Sequence, residues 1–133
     1  MKVEVFGTRS PALAAAVRRL GRRVGIAFRL QDRNVNVIFV DNPTIARLNR
    51  RFLGRNRPTD VIAFPAPELP GIGREAIFGE VYVSREQARI QAREWRVTLR
   101  SELLRLVLHG LLHLAGLKHR EMAGCESRLL GGI

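Results

Sequence analysis

The sequence predicts an α+β fold: one domain over residues 1–133, a small mixed sheet of three or four strands, and about five helices packed on it. Three observations lead there. Short runs of period-two alternation recur near residues 2–6, 34–40, 60–64 and 76–83. Helical spacing of apolar residues fills the stretches between and after them. No internal repeat appears, and no linker is long enough to separate one body from another; 133 residues suit one domain able to bury a core.

Lys2 to Phe6 reads as a first strand because Val3 and Val5 alternate with polar neighbours. Ser10-Pro11 resembles an N-cap followed by proline at the first helical position. Leu13, Val17, Leu20 and Val24 then form the buried stripe of an amphipathic helix, with Arg18, Arg19, Arg22 and Arg23 on its wet side. In the second strand, Asn34 to Val40, the alternating residues are Val35, Val37 and Phe39. Asp41-Asn42-Pro43 opens a helix whose buried face is Ile45, Leu48 and Phe52. Gly54 to Pro58 is a basic turn leading into a strand from Asp60 to Phe64. Pro65 to Gly73 is a loop rich in Pro and Gly, joining that strand to a neighbouring one from Ala76 to Val83. Ser84 with Gln87 three positions on has a capping-box pattern, and its helix ends near Trp95. Leu99 to Ala115 is almost wholly Leu, Val and Ala, a helix buried on most sides. A last helix runs from Arg120 to about Leu130.

All three histidines lie within eleven residues of one another. His109 and His113 are four apart, so a helix projects them from one face, one turn above the other. Gly116 can end that helix in a left-handed conformation and turn His119 back to the same point. Three imidazoles with no fourth protein ligand is the arrangement of a catalytic zinc, which keeps a position open for water. Glu102, Arg105, His109 and His113 follow steps of three and four, a polar stripe that a buried helix keeps where it faces a cleft or polar partner. Cys125 is the one cysteine, which excludes an internal disulfide and fits a reducing compartment; its expected place is half-buried on the last helix.

Twenty-three Lys and Arg against twelve Asp and Glu give a net charge of +11, and nearly all the cations are arginine. Arginine grips phosphate with a planar fork, and a field of this sign concentrates polyanions such as nucleic acid. No run of eighteen apolar residues and no cleavable signal pattern is present, so a cytoplasmic protein with no membrane partner is expected.

These residues also carry a family pattern. His109 to His119 resembles the histidine motif HGxLHLxGxDH of the YbeY family of bacterial endoribonucleases, which act in ribosomal RNA maturation. Pro58-Thr59-Asp60-Val61-Ile62-Ala63-Phe64-Pro65 is similar to that family's PTDVLSFP strand, and Leu48-Asn49 with Phe52 and Gly54 to the segment before it. Gly79 to Ser84 is similar to its GDIxIS strand and helix start, and Met122 and Glu126 match its last helix. The resemblance covers roughly residues 35–130 and implies one Zn²⁺ per chain on His109, His113 and His119. It also implies a single-strand-directed, metal-dependent endoribonuclease partnered with ribosomal RNA and the ribosome or its small subunit. Two positions depart from it: Leu53 stands where the family has arginine, and Lys118 where it has an acid.

Within that reading, Arg55 and Lys118 are the candidate catalytic residues, and Arg51, Arg55 and Arg57 the candidate RNA-binding ones. Asp60 and Glu102 are candidate carboxylates behind the metal ligands. A zinc on three histidines lowers the pKa of water or polarises a phosphoryl oxygen. At 6% aromatic content, backbone and shape recognition is expected over stacking along a strand. Two other readings stand beside it. The spacing His-x3-His-x2-Gly-x2-His is shared with metzincin metalloproteases, but those place a glutamate base after the first histidine, where this chain has Gly110. A non-catalytic RNA- or ribosome-associated zinc protein is favoured by Leu53 and Lys118 and disfavoured by the open ligand position.

Overall fold

In a computed structural model, which describes residues 1–66 and 77–133, the elements follow the sequence order closely. They are β1 (Lys2–Phe6), α1 (Pro11–Phe28), β2 (Asn34–Val40), α2 (Asn42–Leu53), β3 (Val61–Pro65), β4 (Ile77–Ser84), α3 (Arg85–Trp95), α4 (Leu99–Leu114) and α5 (His119–Leu130). The four strands form one mixed sheet in the order β1-β2-β4-β3. β1, β2 and β4 run parallel, and β3 pairs antiparallel to β4 at the edge, with Ala63 opposite Val81. Most of the loop expected at Pro65–Gly73, and the strand start expected at residue 76, fall outside the described residues. The antiparallel pairing it joins is present.

Local chemistry sets the helix ends. The side chains of Ser10, Asp41, Ser84 and Thr98 each accept a backbone N–H of the following first turn, which satisfies donors that a helix start leaves orphaned. Ser84 makes only the first half of the expected capping box; its hydroxyl donates to Asn42 Oδ1 at 2.6 Å and so ties α2 to α3.

One face of the sheet carries the core. Val35, Val37 and Phe39 of β2 and Val81 and Val83 of β4 meet Leu13, Val17, Leu20 and Val24 of α1 and the Leu/Val face of α4. α4 lies against β3 and β4 as well as α1, α3 and α5, which explains a helix apolar on nearly every side. At Gly110 it comes close to the sheet: a Cβ there would fall inside the van der Waals envelope of the Val81 side chain. The other face is covered more thinly, by α2. Ile45 is fully buried, but Phe52, expected in the core, is 55% exposed. It sits in the last turn of α2 and packs one face on Phe64, with ring centroids 5.0 Å apart.

Candidate metal centre

The histidine segment folds as a helix, a turn and a second helix start. α4 ends at Leu114, and Gly116 takes φ +90°. The N–H of Gly116 then donates to His113 O and that of Leu117 to Leu112 O. These two bonds are the Schellman pattern, which needs a residue at ease in the left-handed region. The chain reverses, α5 begins at His119, and its imidazole meets the two on α4. The ring centroids stand 4.8, 5.1 and 5.0 Å apart, and one nitrogen from each ring lies within 4.8 Å of the others. Among the described residues this is the one group of histidine, cysteine or acidic side chains close enough to hold a metal ion.

The donor set fits a transition metal. Neutral imidazoles bind metal, and His113 titrates below the usual histidine value because burial, then the neighbouring His109 and His119, disfavour its cation. One nitrogen from each of the three rings would hold the ion, and histidine nitrogen is a usual ligand of zinc. Glu126, on α5, places Oε1 3.5 Å from Nδ1 of His109. The contact is at an ion-pair distance, on the side of the ring where a metal-ligating histidine finds its outer partner. In the sequence Glu126 stands out only through its match to a last-helix pattern. The available signal is its place seven residues, two helical turns, after His119 on the same face.

The three histidines open into a cleft of about 490 Å³ walled by Leu53, Arg55, Thr59, Asp60, the Val61–Pro65 strand and Gly110. Of the arginines singled out in the sequence, Arg55 is in the wall; Arg57 lines an adjoining recess; Arg51 lies at 5.4 Å over the Phe52 ring on the outside of α2. Asp60 lines the cleft, and its Oδ1 accepts the Val61 N–H at 2.8 Å, pinning the start of β3.

Two expected site residues sit elsewhere. Glu102 is buried, but its carboxylate is held by Arg105 through two bonds of 2.7 and 2.9 Å and by Gln91 Nε2 at 2.6 Å. The cause is distance along α4: seven residues of helix is about 10 Å of rise, so Glu102 shares the stripe with His109 but meets Gln91 of α3. Arg105 in turn lies 4.8 Å over the Trp95 ring. Lys118 is the exposed N-cap of α5 and is absent from the cleft wall; its backbone N–H donates to Glu121 Oε1 at 3.1 Å.

Fold and site together define a small α+β protein with three histidines, close enough to hold a metal ion, lining a cleft. Comparison with known proteins places it further. A family model described as Endoribonuclease YbeY matches residues 8–128, so the chain belongs to the YbeY endoribonuclease family. It is similar to the Endoribonuclease YbeY of Thermotoga maritima, at 46% identity over 88 residues, 66% of this chain and 55% of that protein. It is 33% identical to that of Geobacter metallireducens over 131 residues, 96% of this chain and 87% of the relative. The solution structure of a Thermotoga maritima protein aligns with TM-score 0.64 and 32% identity, over 96% of this chain and 86% of that one. The match spans little more than half the length of several curated relatives, 55% and 56% in two of them.

Proposed function

We propose that this chain is a zinc-dependent endoribonuclease acting on ribosomal RNA during ribosome maturation in the cytoplasm. The observation that carries the reading is the convergence of His109, His113 and His119 on a cleft that also holds Arg55, in a chain of net charge +11. The family and the names of its relatives support RNA as the substrate. A zinc ion bound to these histidines supplies Lewis acidity toward water and toward a phosphoryl oxygen.

The chain's own residues supply position and charge. Arg55 faces the cleft with a planar donor fork suited to a phosphate of the RNA backbone. It lines the same cleft as Leu53, which stands two residues before it. Glu126, 3.5 Å from His109 Nδ1, is placed to serve as the outer partner of that ring. Asp60, tied to the Val61 N–H, lines the same cleft. Proteolysis by a metzincin-type base has no room here, because position 110 admits no side chain against Val81.

The test is cleavage of structured ribosomal RNA by wild type and by His113→Ala, each with and without chelator, beside a casein control and metal analysis of the purified protein. Cleavage lost on chelation and in the variant supports the reading; equal cleavage by both proteins refutes it. Leu53 favours the non-catalytic alternative, which predicts bound zinc and bound RNA with no cleavage.

A further inference from the structure

The metal cleft continues into a second recess of about 470 Å³, since Leu53, Arg55, Thr59 and Asp60 line both. α3 contributes Gln87 and Gln91 to that recess. Trp95, the last residue of α3, stands four beyond Gln91, one turn and about 6 Å along the same face. Gln91 donates to Glu102 at 2.6 Å, Arg105 grips the same carboxylate, and its guanidinium lies 4.8 Å over the Trp95 ring. On α4, Arg105 is one turn before His109. Its pKa is raised first by the bonds to Glu102, then by charge from Glu126 and from Asp60 in the cleft. Packed side chains thus join Trp95 to the metal site. Trp95 is the one tryptophan of the chain and is 54% exposed, although Arg105 covers one face of the ring. Arg105 is fixed by a buried carboxylate, so it holds the ring in place before any ligand arrives. Residues 93–105 carry four arginines and two glutamates, and Glu102 is already neutralised within the protein. Arg93, Arg96 and Arg100 are exposed.

We propose that Trp95 stacks one base of a single RNA strand, which reaches it from the metal cleft through the recess lined by Arg55, Arg57 and Gln91. The inference rests on the RNA reading above and adds a point that holds the strand away from the metal. An exposed aromatic ring set among cations suits a ligand both flat and anionic, and a nucleotide is both. A single strand can offer a base face to the ring; a duplex encloses its base faces. Arg55 and Arg57 line the path between the two ends with planar donor forks suited to phosphate. One platform, not a row of them, agrees with an aromatic content of 6%.

A single tryptophan makes the contact directly readable. Intrinsic fluorescence of the full chain is followed while an unstructured RNA of about ten nucleotides is added, 2′-O-methylated to slow its cleavage. An abasic strand of equal length and a duplex are the comparisons. Affinities for all three are measured by anisotropy over a range of salt, for wild type, Trp95→Leu and Trp95→Phe. The single strand should quench the fluorescence, and the abasic strand should not. Trp95→Leu should bind the single strand about fivefold more weakly or worse, and the abasic strand as wild type does. Its salt dependence should match wild type, because no charge is removed. Trp95→Phe keeps an aromatic face and should retain most of the affinity. RNA binding without quenching, or with equal affinity in Trp95→Leu, overturns the platform and leaves the RNA reading standing. So does a loss in Trp95→Leu that is as large for the abasic strand or the duplex. Absence of binding to all three nucleic acids overturns both.

Discussion

Replacing Lys118 by aspartate is expected to stabilise the protein and its metal site together. Lys118 is the N-cap of α5, where a side-chain acceptor is normally supplied and where the helix dipole favours negative charge. Lysine offers neither. Among the described residues, the first turn is held by the reciprocal support of Glu121, whose Oε1 accepts the Lys118 N–H and whose own N–H donates to Lys118 O at 2.9 Å. An aspartate would add an acceptor for the free N–H groups of that turn, worth about 1 kcal/mol, and remove an unfavourable charge at the helix start, worth about 0.5 kcal/mol. A gain of about 1.5 kcal/mol corresponds to roughly 5 °C in melting temperature for a chain of this size. The neighbouring residue is His119, so a firmer first turn also holds a ligand in place, and zinc affinity should rise. Calorimetry of metal-free protein separates the contributions: Lys118→Ala removes the charge without adding a cap and should recover about a third of the effect. If Lys118→Asp melts no higher than Lys118→Ala, the capping argument is wrong.

Glu126→Gln should weaken zinc binding by about tenfold or more through the loss of a charged partner for His109 Nδ1, read by competition with a chromophoric chelator, with little change in melting of the metal-free form. Glu102→Ala should do the reverse: about 3 kcal/mol lost in urea unfolding, because it strands Arg105 and Gln91, with zinc affinity retained. The figure is at the low end for a buried pair because the Arg105 side chain remains 30% exposed. His113 has its pKa lowered by burial and by the other two histidines, so the unfolded chain binds the proton more readily than the folded one. Stability of the metal-free protein should therefore be fully present above about pH 6.5 and fall as pH drops through the interval below it. Urea midpoints at pH 7.5 and 5.5 check this, and His113→Gln should show a smaller difference than wild type.

Much of this molecule is encoded locally. The caps at Ser10, Asp41 and Ser84 and the alternation of Val35, Val37 and Phe39 are short-range signals, and each element forms within a residue or two of where they put it. The spacing of His109, His113, Gly116 and His119 specifies a helix and a turn whose geometry needs no distant contact, so the metal group is legible without knowledge of the fold. Phe52 is not, since its apolar spacing on α2 says nothing about how thinly that face of the sheet is covered. Glu102 is misplaced by the sequence for a related reason: helical periodicity assigns residues to a stripe but does not say that α3 lies against its upper half.

By itself the sequence determined the order of elements, the three-histidine group and the basic character that points to a polyanion. Tertiary structure alone decided which residues face that group. It brought Glu126 of α5 to His109, set Arg55 and Leu53 in the cleft wall, left Lys118 at a helix start, and closed position 110 against Val81. The physical reason is range. Capping, helical spacing and a glycine turn act over a few residues and are fixed by neighbours in the chain. The walls of a cleft come from elements far apart in sequence, and only the packing of α4 on β3 and β4 sets how they meet.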